Sequence, residues 1–317
     1  MYDQANAKAG ASRGDVAARL RAEMERRGFA YGAVPVSRLA ALRDELEAWH
    51  RQRLVADAVD RDYLQGFTFA PPAGFEDGAA VVVAVPDAPA RFTFAWDGRE
   101  VVALMPPTYL RARDVDRRAG DALAEALEPH GYRVQPATLP KKLLAAHSGL
   151  AAYGKNNLAY VPALGTFHRL AGFFTDFVPP DAAWREPRAL PRCDECDACR
   201  RACPTGAVAA DRFLLHAGKC VTLYNEAAAA FPPGFEPFRD ECLVGCLRCQ
   251  LSCPENKEVR DRRAPGEAFT ADETSALLAA TPLERLPAET RVKLERSGLA
   301  AFYDILPRNL AAIRARR

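Results

Sequence analysis

The segment CDECDACRRACPT, residues 193–205, spaces four cysteines by two, two and three residues and ends the run on Cys203-Pro204. A second segment, GCLRCQLSCPEN at 245–256, repeats the end of that spacing with Cys246, Cys249, Cys253 and Pro254. Two intervening residues let successive thiolates turn toward one centre, and the proline ends the segment and turns it away. This is the bacterial ferredoxin pattern, in which the fourth cysteine of a run ligates the other cluster. The crossed logic gives Cys193, Cys196, Cys199 and Cys253 to one 4Fe–4S cluster, and Cys203, Cys246 and Cys249 to a second. The second cluster needs one more thiolate, and spacing alone leaves Cys220 and Cys242 both open. Paired cysteines also suit tetrahedral zinc, but zinc requires neither the threefold run nor the cysteine–proline ending. The two runs are therefore expected to fold against each other as a ferredoxin-like electron-transfer module.

The rest of the chain is far larger than such a module needs. Its 317 residues are 49% hydrophobic, enough for one or two domains, and the formal net charge of +2 provides no global field for nucleic acid. Residues 1–15 are polar and small, without the apolar stretch of a secretory signal, and no run is apolar enough to span a bilayer. The expectation is a cytoplasmic protein with no membrane partner, in a compartment that keeps thiolates reduced.

Periodicity predicts a helix over 15–28 stopped by Gly28, a strand over 31–36, and a helix from a Ser37 cap to about His50. AAVVVAV at 79–85 predicts a strand buried on both faces, and Asp97-Gly98 between two apolar runs predicts a hairpin. A helix over 113–128 and strands over 132–138 and 170–177 follow, then a proline-rich linker. The fold class is α/β (α+β) for the N-terminal domain, then the ferredoxin-like double-cluster module, then C-terminal helices. The expected boundaries are a flexible 1–15, an α/β cofactor or substrate domain at 16–185, the cluster module at 186–260 and a helical segment at 261–317.

No Gly-x-Gly-x-x-Gly turn follows a strand and no P-loop is present, which disfavours nicotinamide, flavin and nucleotide. The most distinctive remaining stretch is HSGLAAYGKNNL at 147–158, where Gly149 and Gly154 bracket a turn and Lys155, Asn156 and Asn157 supply donors. It reads either as a tight loop with a cap or as a backbone platform for a large polar ligand.

Taken together, these motifs resemble the epoxyqueuosine reductase family, cobalamin-dependent iron–sulfur enzymes related to the core of reductive dehalogenases. Gly149-Leu150, Gly154, Lys155 and Asn156 match the family's Gly-Leu-Gly-Trp-x-Gly-Lys-Asn/His loop. Thr175-Asp176, Cys193 through Thr205, Cys220, Gly245 through Pro254 with Gln250, and Leu306 through Leu310 match its further motifs. The resemblance implies that Cys220 is the eighth cluster ligand and Cys242 a spare. It also implies a cobalamin site lined by Gly149, Leu150, Tyr153, Gly154, Lys155, Asn156 and Asn157, fed by an external donor such as ferredoxin or flavodoxin.

The match fails where the substrate is handled. Without gaps, Gln135 occupies the position of the family's catalytic aspartate, and a carboxamide has no titratable proton. The loop's Gly-Trp becomes Ala151-Ala152. Lys141, Lys142, Tyr153 and Tyr160 are the nearby replacement donors, and no Asp-x-His-x-x-Gly pattern offers cobalt a histidine. The expectation is a cobalamin-dependent reductase whose substrate, a small molecule, is not epoxyqueuosine. The alternatives are a genuine epoxyqueuosine reductase on tRNA, with Arg308, Arg314, Arg316 and Arg317 at the phosphates, and a non-enzymatic electron carrier or corrinoid-handling protein.

Overall fold

Seven consecutive buried residues, Ala79 to Val85, form the strand on which the first unit is built. The structure, a computed structural model, describes residues 10–55, 66–110, 112–228, 231–232 and 241–314. Its first elements are α1 (Arg13–Arg26), β1 (Ala30–Pro35), α2 (Leu39–Arg51) and β2 (Ala79–Pro86), then the hairpin of β3 (Ala90–Trp96) and β4 (Arg99–Met105). There follow α3 (Ala112–Leu127), β5 (Val134–Pro136), α4 (Lys141–His147), β6 (Ala152–Tyr153), β7 (Ala159–Tyr160) and β8 (His168–Thr175).

The main sheet runs β1-β2-β8-β5 with every pair antiparallel. Side chains alternate across a strand, so β2 serves two cores at once. Val81, Val83 and Val85 join Leu20 and Met24 of α1 and Leu123 and Leu127 of α3. Ala80, Val82 and Ala84 join Leu39, Leu42 and Leu46 of α2 and Leu143 and Leu144 of α4. That double coverage is why β2 carries no polar residue.

Two local expectations need correction. The stretch expected to be flexible through residue 15 contains the start of α1, where Ser12 and Asp15 form a capping box; residues 1–9 lie outside the described residues. Ser37 does not cap α2: it sits inside a 3₁₀ turn, Val36–Arg38, and the helix follows with no side-chain cap.

Asp97 and Gly98 have φ values of +46° and +71°, the paired left-handed residues of a type I′ hairpin turn. The hairpin does not join the main sheet. Its β3 pairs in parallel with β9 (Ala264–Phe269), inside a segment expected to be helical. Pro265 and Gly266 hid this strand. At Gly266 a Cβ would lie 2.6 Å from the Arg91 carbonyl oxygen, so glycine is what lets β9 approach. The chain accordingly divides into a unit of residues 1–86 with 113–196 and a unit of 87–112 with 197–317, not at about residue 185. In the second unit α5 (Ala198–Ala202), α6 (Val221–Glu226) and α7 (Arg248–Leu251) precede β9. The helices α8 (Ala271–Leu278), α9 (Ala288–Ser297) and α10 (Leu306–Arg314) close it. Phe94 and Phe269 stack at 4.9 Å in its core.

The prolines of 179–191 do not make a free linker. Ala183 donates to the Ala33 carbonyl, Arg185 to His147 and Tyr153 to Arg188, so the segment is strapped to the first unit. Among the described residues no helix is long and apolar enough to cross a membrane.

Two glycines in the first unit are expected to answer alanine oppositely. At Gly78 a Cβ would lie 2.1 Å from the Thr175 carbonyl oxygen, a backbone atom that cannot step aside, so Gly78→Ala should cost about 2 kcal/mol or more. Gly14 in α1 has only Ser12 Oγ at 3.6 Å, and Gly14→Ala should add about 0.5–1 kcal/mol through helix propensity. Urea unfolding of the two variants checks this. His168, at the start of β8, is buried with Nδ1 unpartnered, and burial pushes its pKa down to about 4 against an ordinary 6.5, a hydrogen bond from its ring to the Gly165 backbone carbonyl opposing. The native state then binds fewer protons than the unfolded chain between those values. Its stability contribution is intact above pH 6.5 and is lost as pH falls toward 4, by about 2 kcal/mol at pH 5. Unfolding midpoints at pH 7 and pH 5 should converge in His168→Gln.

Candidate functional site

The cysteine segments are built from short helices that end on a ligand. Cys199 lies in α5, and the Cys203 N–H after it donates to the Cys199 carbonyl at 3.1 Å. Cys249 lies in α7, and the Cys253 N–H after it donates to Gln250 at 3.3 Å. The two helices pack on each other. Pro204 and Pro254 then turn the chain away, as the spacing requires.

Around the Cys203 thiol the backbone is arranged for negative charge. Burial pushes its pKa up, but the N–H groups of Thr205, Ala207 and Val208 and the Thr205 hydroxyl outweigh burial, and the net shift is downward. Gly206 at φ +66° makes the tight turn that aims these amides. N–H donors on sulfur are what an anionic cluster needs and are a main determinant of its potential, so the Cys203 site fits a cluster ligand. Cys220 stands close enough to Cys203 for the two thiols to interact electrostatically, and burial, first among its causes, raises its pKa. Cys242 is buried in a different setting: its residue bridges Leu104 of β4, and its carbonyl accepts from Asn225 Nδ2. Among the described residues no three His, Cys, Asp or Glu side chains gather closely enough for a single ion.

A carboxamide pair, overlooked in the sequence, holds the loop that carries Cys246. Asn225, at the end of α6, donates to the carbonyls of Cys242 (3.3 Å) and Gly245 (2.9 Å). Asn309, wholly buried in α10, donates to the carbonyls of Asn225 (3.0 Å) and Leu243 (2.6 Å). Arg308 bonds the Asn309 carboxamide oxygen and the Tyr224 carbonyl, and lies 4.4 Å from the Phe231 ring. Arg314 lies over Trp96. Two of the four arginines expected at tRNA phosphates are therefore engaged within the chain, and Arg316 and Arg317 lie outside the described residues. The only sequence signal was the tail motif itself, which has no periodicity or spacing to reveal its role.

In the first unit, HSGLAAYGKNNL is the end of α4 followed by the β6–β7 hairpin. His147 places Nδ1 2.8 Å from the Arg185 carbonyl and Nε2 2.8 Å from Glu45, and its ring stacks 3.7 Å from Trp184. The two glycines are required by this packing. A Cβ on Gly149 (φ +77°) would meet Arg185 Cδ at 2.6 Å, and one on Gly154 would meet the Tyr160 ring at 2.5 Å. Asn156 is buried and donates to the Tyr160 hydroxyl, while Lys142 Nζ bonds the Asn157 carbonyl, so these side chains brace the hairpin. Lys155 reaches the Cys196 carbonyl at 3.2 Å. Tyr153 is buried, and burial with the Glu45 charge raises its pKa, which keeps its proton in place at neutral pH. Gly149 and Leu150, with Tyr31, Gly32, Asp181 and Arg185, line a cavity of about 310 Å³, at the small end of ligand pockets (about 300–1,000 Å³). That volume cannot enclose a corrinoid.

Gln135 is exposed on β5, opposite Phe174 of β8. Lys141, half-buried at the start of α4, packs beside β8, its Cγ 3.8 Å from where a Cβ on Gly172 would stand. Burial lowers its pKa, with Asp116 opposing and Arg169 adding to the effect. Asp176 accepts from the Arg133 backbone N–H (2.7 Å) and guanidinium (3.1 Å), so the Thr175-Asp176 motif is a clamp where β5 begins.

Residues 192–256 match the 4Fe-4S double cluster binding domain family. The sequence is 32% identical to epoxyqueuosine reductase of Burkholderia pseudomallei over 207 residues, 59% of this chain and 49% of that protein. It is 32% identical to the enzyme of Alicycliphilus denitrificans over 176 residues, 50% of this chain and 48% of that protein. The chain spans about half the length of these curated relatives. Its fold is that of epoxyqueuosine reductase from Bacillus subtilis, captured with an aspartate-bearing catalytic loop swung out of the active site (TM-score 0.70, 21% identity, 96% of this chain and 82% of that one). It is equally like an epoxyqueuosine reductase bound to an epoxyqueuosine-modified tRNA-Tyr stem loop (TM-score 0.68, 19% identity, 96% and 82%).

Replacing Asn309 by alanine should leave two buried carbonyls without a donor and cost about 2–4 kcal/mol. Denaturant unfolding measures the loss. A variant within about 0.5 kcal/mol of the parent would remove Asn309 from this role.

Proposed function

We propose that this relative of the epoxyqueuosine reductases is an iron–sulfur reductase whose two 4Fe–4S clusters serve a bound cobalamin, and that its substrate is a small molecule other than epoxyqueuosine. The observation that carries the reading is the Cys203 thiol, held by backbone N–H groups within electrostatic reach of Cys220. It favours Cys220 as the eighth ligand, since the Cys203 charge acts on the Cys220 thiol. Cys193, Cys196, Cys199 and Cys253 complete the first set.

Cobalamin, when bound, supplies a cobalt centre that accepts electrons singly and becomes a strong reductant or nucleophile. The cavity beside Gly149 is too small to take it, so the groups that would hold it are the outward atoms of the hairpin: the backbone at Gly149 and Leu150, the Lys155 ammonium and the Asn157 side chain. Asn156 and Tyr153 act behind them as braces. Gln135 orients by hydrogen bonding and transfers no proton. Lys141, at the start of α4 beside Gly172 of β8, is the candidate proton donor, and its pKa, lowered by burial, makes it a better acid than an ordinary lysine. Electrons come from an external low-potential donor of the ferredoxin or flavodoxin kind.

The likeness to an enzyme in complex with a tRNA stem loop favours one second reading, reduction of epoxyqueuosine in tRNA. Anaerobic reconstitution with iron and sulfide should load about eight iron atoms per chain. Cys220→Ser should hold about four, and Cys242→Ser should keep about eight. Retention of added cobalamin through gel filtration tests the corrinoid. Turnover of epoxyqueuosine-tRNA by the loaded protein would replace the small-molecule reading with the tRNA one.

A further inference from the structure

No motif matched in the sequence falls within residues 87–112, yet that segment, with the β3–β4 hairpin, belongs to the second unit together with Cys199 to Cys253. After β4 the chain enters a short 3₁₀ turn, Pro107–Tyr109, and ends it on a half-buried tyrosine. Tyr109 touches two ligand-bearing segments at once. Its ring stands against the backbone at Gly245, immediately before Cys246, where a Cβ would meet Tyr109 Cε2 at 2.5 Å and the hydroxyl at 2.8 Å. Its hydroxyl donates to the carboxylate of Glu226, the last residue of α6, and α6 begins directly after Cys220. Phe302 packs on the same ring edge to face, with centroids 5.7 Å apart.

Packing alone does not require the hydroxyl. Phenylalanine would fill the space between Gly245 and Phe302 equally well. Tyrosine adds a charge-assisted bond to a half-buried carboxylate, the stronger kind of hydrogen bond. Asn225 already ties α6 to the same loop, through the Gly245 carbonyl at 2.9 Å. A helix of six residues held to a loop at one point can still pivot about it. Tyr109 supplies a second point, one residue further along α6, from a segment that carries no ligand. Two ties fix the angle of α6 to the loop as well as its distance.

We infer that Tyr109 is a positioning residue for the cluster assigned to Cys203, Cys220, Cys246 and Cys249, its hydroxyl locking the end of α6 to the loop that carries Cys246. It ligates nothing itself and acts through Glu226 and Gly245. The segment 87–112 thereby gains a role that its sequence does not announce: it brings to the second cluster a support that neither cysteine run supplies. This inference rests on the cluster assignment proposed above.

Anaerobic iron release from the reconstituted full chain to the chelator bathophenanthroline disulfonate reads the lock. Tyr109→Phe, which keeps the ring, should release about four of about eight iron atoms roughly tenfold faster than the parent, the order of one hydrogen bond to a charged group, and the rest at the parental rate. Electron paramagnetic resonance of dithionite-reduced samples taken during release identifies the cluster. The signal that fades should be the one absent from Cys220→Ser, and the one absent from Cys196→Ser should persist. Glu226→Ala should match Tyr109→Phe, and the double variant should go no faster than either, since both changes break the same bond. Parental release in Tyr109→Phe, equal acceleration of both clusters, or additive effects of the two changes overturn the inference while leaving the cluster assignment standing. If Tyr109→Phe takes up only about four iron atoms, the missing signal decides: loss of the Cys220 signal supports the lock, and loss of the Cys196 signal overturns it. Parent protein that loads fewer than about eight iron atoms overturns the assignment itself and the inference with it.

Discussion

One buried carboxamide sets the terms for the second unit. Asn309 is wholly enclosed, and its amino group is divided between two carbonyls, one ending α6 and one in the loop before Cys246. A buried carbonyl without a donor is costly, so α10 must be in place before that loop settles. Asn225 extends the same logic by one step, to Cys242 and Gly245. The ligand segments are thus shaped from behind by amide hydrogen bonds. Their own helices are only four to six residues long and would not persist alone.

The first unit solves a different problem. A strand apolar on both faces is stable only if both faces are covered, and β2 is covered by α1 with α3 and by α2 with α4. The β6–β7 hairpin then presents a few polar groups from a braced frame. Gly149 before it is explained by its left-handed backbone (φ +77°) and Gly154 within it by the Tyr160 ring, features of the chain itself. A glycine in a ligand-like motif is therefore not by itself a mark of ligand approach.

Much of this was legible in the sequence. The cysteine spacing gave the cluster module, the apolar run gave β2, and Asp97-Gly98 gave the hairpin, because each is a local pattern with one physical solution. What stayed hidden was non-local. Nothing in APGEAF announces a strand, since Pro265 and Gly266 argue against one and only the partner β3 makes it so. Asn225 and Asn309 look like ordinary polar residues until both are found buried against the same loop. Lys155 read as a ligand donor, and only the fold brings it to the Cys196 carbonyl. Gln135 stands where the resemblance would put an acid, whereas the burial of Lys141 beside Gly172 of β8 emerges only from the fold.

The division of the chain has a consequence for how it comes into being. The backbone changes units after Pro86, after Ala112 and after Cys196. A chain emerging from the ribosome makes β3 and β4 early, yet the parallel partner of β3 is β9, synthesised far later. The hairpin must therefore wait with both strand edges open while the rest of the first unit is synthesised. Unpaired edges of that kind are where nascent chains misassociate. The tight type I′ turn at Asp97-Gly98 lets β3 and β4 zip locally at once, and the two outer edges are covered only when Cys242 reaches Leu104 of β4 and β9 reaches β3.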